Sequence, residues 1–173
     1  MTFWFRMLAT FVRSSLRGRC RVDDPSQMSF RVWPWDAEWK VISHAALLCL
    51  LDMARQDHFQ RCGFLRLMFK SGWFVPVAAV HVSFKKPIFR FERISVSTLV
   101  SYWNDRDILI EHEVFRGQEL VATSLVRGRI KKGRDTVNPH TVVQALGGGR
   151  VNPGASSRLT KLLELEADAS EQV

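Results

Sequence analysis

From Ser43 to about Gln60 the chain reads SHAALLCLLDMARQDHFQ, apolar without a break from Ala45 to Leu51. A helix over this span is apolar on nearly every side through its first turns, which predicts a helix buried all round and not one laid on a surface. Ser43 is a natural N-cap for it, and the chain becomes amphipathic again from Asp57. Ahead of it, Ser29 to Trp33 (SFRVW) alternates like a short strand ended by Pro34, and Val22 to Gln27 (VDDPSQ) reads as a linker. Behind it, Leu65 to Phe69 makes a short second helix closed by Ser71-Gly72.

The period then changes to two. Val75 to Phe84 is a strand. Phe91 to Trp103 alternates, with Ile94, Val96, Thr98, Val100 and Tyr102 on one face and Arg93, Ser95, Ser97 and Ser101 on the other. Ile108 to Arg116 follows a turn at Asn104-Asp105, and Leu120 to Lys131 follows Arg116-Gly117-Gln118, so three strands make an antiparallel meander. Pro139 to Leu146 reads as a short helix, GGGRVNPGASS as a flexible link, and Arg158 to Ala167 as a small amphipathic helix. One helix that must be covered on every side, followed by an antiparallel sheet, predicts an α+β fold in which the sheet curls around the helix. The open edge of such a sheet predicts pairing into a homodimer or a dimer of dimers.

At the start of the chain, Phe3, Trp4, Met7, Leu8, Phe11 and Val12 recur at helical spacing among Arg6, Arg13, Arg17, Arg19 and Arg21. Residues 1–21 therefore read as an amphipathic basic helix, set apart from a main domain at 28–147 and a tail at 148–173. The segment is too short, and too broken by Arg6, to span a bilayer, and it lacks the cleavage site of a signal peptide. Two readings stay open. The helix packs on its own domain or on a partner subunit, or it lies peripherally on anionic lipid with Trp4 and Phe11 dipping in.

A chain of 173 residues, 46% apolar and 24% charged, suits one domain with a real core. Its net charge of +8 changes the picture more. Arginine favours phosphates and carboxylates, so a phosphate-bearing ligand fits the surface. Nucleic acid fits less well, because the basic strand carrying Arg127, Arg129 and Lys131 has no interleaved exposed aromatics. Cys20, Cys49 and Cys62 are odd in number and form no CxxC pair, which argues against a disulfide framework and a cysteine zinc site and fits a reducing, cytoplasmic compartment. No cluster has metal-ligand spacing, and GGG at 147–149 follows a helix instead of opening one, so neither a metal nor a phosphate-loop cofactor is expected.

From about Phe30 to Leu146 the chain resembles the thioesterase-like branch of the hotdog superfamily, near the 4-hydroxybenzoyl-CoA thioesterases and the thioesterase superfamily members. The resemblance rests on FRVWPWD at 30–36, DMAR at 52–55, WND at 103–105, EHEVFRGQELVATSLVRG at 111–128 and VVQALG at 142–147, in that order. It implies a hotdog fold, in which a curled antiparallel sheet wraps a central helix, and hydrolysis of an acyl-CoA or acyl-carrier-protein thioester. The family usually shows two aspartates one residue apart, then a histidine and an asparagine pair before the helix. This chain has Asp36, Ala37 and Glu38, then Ile42-Ser43-His44-Ala45, one residue shorter and without the asparagines. The resemblance places Glu38 at the family's second acid, commonly its catalytic carboxylate.

Thioester hydrolysis needs a carboxylate to attack the carbonyl or activate water, and donors for the developing oxyanion. Glu38 or Asp36 supplies the first. Backbone N–H groups at Ser43, His44 and Ala45, at the start of the helix, supply the second. Trp33, Trp35 and Trp39 are placed to exclude water from the acid. His44 polarises the thioester carbonyl, acts as a base with Glu38, or bonds a loop carbonyl. Asp52 shares a helix face with His44 and is a possible second acid, but Arg55 at i+3 makes a structural ion pair the better reading. His81 and His112 read as satisfied core residues. Arg127, Arg129, Lys131 and Lys132, with Lys85, Lys86 and Arg90, form a candidate basic rim for the phosphates of coenzyme A. A dehydratase using His44, and a non-catalytic hotdog protein binding an acyl group or a partner, are the alternatives.

Overall fold

The computed structural model of the chain describes residues 2–147. The link and short helix expected at 148–173 lie outside the described residues. Helix α1 (Thr2–Ser15) leads into strand β1 (Ser26–Arg31), a 3-10 turn (Pro34–Asp36) and a small ribbon of β2 (Ala37–Glu38) and β3 (Val41–Ile42). Then come α2 (His44–Arg61), α3 (Phe64–Ser71), β4 (Val77–Phe84), β5 (Arg93–Trp103), β6 (Asp107–Arg116) and β7 (Glu119–Arg129). The short pair β8 (Lys131–Lys132) and β9 (Asp135–Thr136) and helix α4 (Pro139–Ala145) close the described chain.

Five strands form one antiparallel sheet in the order β1-β5-β6-β7-β4. The sheet curls over α2, as the sequence pattern predicts. One core cluster joins Leu47, Leu50, Leu51, Met53 and Ala54 of α2 to Val96, Val114 and Val121 of the sheet. A second cluster lies around Phe59, Phe64, Trp103, Ile108, Ile130 and Val143. Each fully buried large side chain stabilises the fold by about 1.5–3 kcal/mol relative to exposure. Ser43 caps α2 as expected, its hydroxyl accepting from the Ala46 N–H at 3.1 Å. Gly72, at φ 65°, ends α3, and Gly117, at φ 61°, makes the β6–β7 turn possible.

Four sequence expectations need correction. Helix α2 is not covered on every side, because a single five-stranded sheet wraps only part of it. His44 and Ala45 are exposed, Leu48 and Cys49 are half-buried, and the Asp52 side chain is 50% exposed. Strand β1 begins at Ser26, opposite Thr98, so the last residues of the expected linker belong to the sheet. In β5 a bulge between Val100 and Tyr102 shifts the alternation, which turns Tyr102 off the core face and buries Trp103. His81 is exposed on the edge strand β4, not in the core, whereas His112 is buried beside Thr98, Nδ1 to Oγ1 3.0 Å.

Helix α1 is fastened to α2 by its polar side. The Ser14 hydroxyl donates to Asp57 at 2.6 Å, and the Arg17 guanidinium donates to the other Asp57 oxygen at 2.8 Å. Arg61 stands 3.5 Å from the same carboxylate, which is only 1% exposed. At the other end Arg6 spans both oxygens of Asp36, at 2.7 and 2.9 Å. Removing Asp57 would strand two guanidinium groups against a buried helix. Asp57→Ala is expected to lower the unfolding free energy by about 2–4 kcal/mol in urea titrations.

Two buried histidines set an acid limit. Burial pushes His112 down from 6.5 to about 3, with Arg55 and His58 adding to the shift. Burial also lowers His58, opposed by its hydrogen bond to the Val22 carbonyl. The unfolded chain takes up these protons below 6.5 while the folded chain does not, so this stability is complete above 6.5 and is lost as pH falls toward about 3. Urea midpoints measured between pH 7 and pH 4 should therefore fall, and His112→Asn should flatten that slope.

Candidate active site

Asp36 fixes the loop in front of α2. Its carboxylate accepts the Trp33 N–H at 2.9 Å as well as the Arg6 guanidinium, and its carbonyl accepts the Ser43 N–H at 2.9 Å. Between Asp36 and Ser43 the chain makes the two-residue ribbon β2–β3, with Ala37 opposite Ile42 and Glu38 opposite Val41. Trp39, at φ 61°, holds its turn in the left-handed region. The ribbon is stapled to the segment before β5, since the Ile42 N–H donates to the Ile88 carbonyl at 2.8 Å and the Arg90 N–H to the Lys40 carbonyl at 3.0 Å. These bonds leave Glu38 projecting at the mouth of α2.

A cleft of about 540 Å³ opens there, lined by Glu38, Ser43, His44, Phe84, Lys85 and Pro87 among others. The Ser43 hydroxyl and carbonyl serve the N–H groups of Ala46 and Leu47. The N–H groups of His44 and Ala45 have no partner among the described residues, and neither does the Glu38 carboxylate. The site thus places a free carboxylate, the free N–H of His44 and the positive end of a helix dipole around one open space, with the free N–H of Ala45 next along the helix, whereas the Ser43 N–H expected as a third donor is taken by the Asp36 carbonyl. Lys86 adds charge at the rim, although it pairs with Glu119, which also receives Arg116. Those pairs draw the Glu119 carboxyl below its ordinary value, the Lys86 bond first.

The sequence candidates separate into those that meet here and those that do not. Glu38, Ser43, His44, Lys85 and Lys86 share the cleft. Asp36 is 7% exposed and fully engaged by Arg6 and the Trp33 N–H, so the two acids of the motif differ in freedom. The three tryptophans do not shield Glu38. Trp33 and Trp35 stack on each other at 5.4 Å and face outward, and Trp39 is 95% exposed. The cause is the 3-10 turn: once Asp36 is turned inward, its flanking indoles go to the surface. Asp52 pairs with Arg55 at 2.7 Å on the flank of α2.

Arg90 stands beside the ribbon, but the β7 part of the expected basic rim lies elsewhere in this chain. Phe84 pairs with Ala122, while Arg127 stands opposite Ala79, so Arg127, Arg129, Lys131 and Lys132 occupy the far end of β7 and beyond. Arg129 binds Asp107 at 2.8 Å, and Lys131 donates to Thr136 at 2.8 Å. Sequence reasoning missed Arg6 as the partner of Asp36 and missed Phe84 and Pro87 as walls. Nothing in their local sequence marks contacts made across 30 or more residues. The described residues hold no cluster of three or more histidine, cysteine or acidic side chains suited to a metal.

The fold recurs among known proteins. The chain is 28% identical over 109 residues to a probable thioesterase of Saccharomyces cerevisiae, a match that covers 61% of this chain and 47% of that protein, so it spans about half of its length. The DHNA-CoA thioesterase of Staphylococcus aureus superposes with a TM-score of 0.61 at 25% identity, over 71% of this chain and 93% of that one. An Asp→Asn variant of 4-hydroxybenzoyl-CoA thioesterase in complex with 4-hydroxybenzoyl-CoA superposes with a TM-score of 0.63 at 15% identity, over 70% of this chain and 97% of that one. The fold is the hotdog fold. The model of the thioesterase-like superfamily matches residues 32–145, from the residue after β1 through α4, and the chain belongs to that superfamily.

Proposed function

We propose that the protein hydrolyses an acyl thioester of coenzyme A or of an acyl carrier protein, with Glu38 as general base. The observation that carries the reading is the pairing of one unengaged carboxylate, Glu38, with the helix start at His44 in the same cleft, where the N–H groups of His44 and of the next residue, Ala45, are unengaged among the described residues. Glu38 takes a proton from water as the water oxygen adds to the thioester carbonyl carbon. The carbonyl oxygen becomes an oxyanion held by the two N–H groups and the helix end. The carbon–sulfur bond then breaks, and the thiolate leaves and takes up a proton. Asp36 serves as the positioning residue, because it locks the turn from which Glu38 projects. Family membership and the likeness to CoA thioesterases support this assignment.

The reading includes a homodimer joined through β4. That strand is an open edge of the sheet and exposes Val77, Val80 and Phe84, the kind of edge that a second copy covers. Antiparallel pairing about Val80 and His81 would bring the Val77 end of one strand beside Phe84 of the other. Arg127 and Arg129 of the partner subunit would then flank the mouth already carrying Lys85 and Lys86. Such a rim suits the phosphates of a CoA or phosphopantetheine substrate. The same pairing would cover the bare flank of α2.

Glu38→Gln is expected to lower kcat/KM on acyl-CoA substrates by about 100-fold or more, with an unchanged unfolding midpoint. Activity within a few-fold of wild type would remove Glu38 from the chemistry. If the wild-type protein binds acyl-CoA but turns over neither CoA nor carrier-protein thioesters, the chain is an acyl-binding protein. Val80→Lys is expected to halve the mass seen by light scattering and to raise KM more than it lowers kcat; an unchanged mass would exclude β4 as the joint.

A further inference from the structure

Helix α1 is amphipathic in the inverted sense. At about 100° per residue, Trp4, Leu8 and Phe11 form one stripe and Phe5, Val12 and Leu16 the next, all on the side away from Asp57. They are exposed, Trp4 by 74%, Phe5 by 70%, Leu8 by 61% and Leu16 by 85%. The polar residues Arg6, Ser14 and Arg17 are the ones turned inward, onto Asp36 and Asp57. A helix belonging only to its own domain buries its apolar stripe, so this outward one marks an interaction surface.

Charge and size point to the occupant. No acidic residue occurs from Thr2 to Val22. The carboxylates that α1 meets, Asp36 and Asp57, are each neutralised by arginine. Arg13 and Arg19 are exposed and have no partner among the described residues. The Arg6–Asp36 pair also sets the exposed Trp35 at the same end of the helix. A second copy seated α1 on α1 would bring like charges together, whereas an anionic lipid surface takes both the apolar stripe and the arginines. Fourteen helical residues span about 21 Å, shorter than the roughly 30 Å of a hydrocarbon core. Among the described residues no helix is long and apolar enough to cross a membrane. We propose that α1 is an interfacial helix that seats the protein on an anionic membrane, with its aromatic and leucine side chains at the acyl boundary and Arg13 and Arg19 among the headgroups.

The test is co-sedimentation of the full chain with phosphatidylcholine vesicles, with and without phosphatidylglycerol. The wild type should pellet with the anionic vesicles and be released by salt. The triple variant Phe5→Ser, Leu8→Ser, Phe11→Ser should bind about tenfold or more weakly. Arg13→Glu with Arg19→Glu should weaken only the anionic-vesicle binding, by about 30-fold or more, since each basic side chain near such a surface contributes about 1 kcal/mol and here both are reversed. Because these positions avoid Arg6, Ser14 and Arg17, unchanged unfolding midpoints will show that the fold is kept. A wild type that stays in solution with both vesicles, or a triple variant that pellets like it, overturns the proposal. Equal binding to neutral vesicles overturns the assignment to an anionic surface. A mass that falls in the triple variant, without any vesicle binding, assigns the face to a second copy.

Discussion

The molecule turns on the burial of one carboxylate. Asp36 is drawn inward by Arg6, receives the Trp33 N–H and lends its carbonyl to Ser43, so one residue joins α1, the 3-10 turn and the first residue before α2. A buried carboxylate is costly unless paired and hydrogen-bonded, and here it is both. Once it is satisfied, the chain has only a few residues in which to reach the helix. The ribbon between them must therefore turn sharply, which it does at Trp39, and Glu38 is left on the solvent side of the turn. The freedom of Glu38 and the confinement of Asp36 are two results of one constraint.

The same economy explains the face of α2 that the sheet leaves open. Five strands cover Leu47, Leu50, Leu51 and Met53 but leave His44, Ala45 and half of Asp52 in solvent. A longer sheet would bury the helix start and close off its N–H groups. The short one leaves the N–H groups of His44 and Ala45 without a partner among the described residues.

Much of this was legible in the residues. The unbroken run from Ala45 to Leu51 and the serine before it locate the central helix, and the period-two alternation through β5, β6 and β7 locates the meander, because both signals are local. The bulge after Val100 was not legible, since an extra residue in a strand leaves no mark on composition. The outward tryptophans misled for a different reason. Bulky aromatics beside acids suggest a dry wall, but which of them turns inward was decided by Arg6, 30 residues away in sequence. Of the candidate site, the helix start and Glu38 were readable from the motif, while the walls at Phe84 and Pro87 depended on where the sheet edge falls.

The apolar interior is divided, and the division has a consequence for how such a protein changes over generations. One cluster, around Leu47, Leu50 and Val121, lies under the helix start and the cleft, and the other, around Phe59, Phe64, Trp103 and Val143, lies under the far end of the sheet. Side chains that share no contacts contribute to stability nearly independently. Substitutions that reshape the first cluster can therefore be borne by the second without collapse of the whole. A scaffold of this kind is free to drift in what it accepts at one end while its other end preserves its architecture.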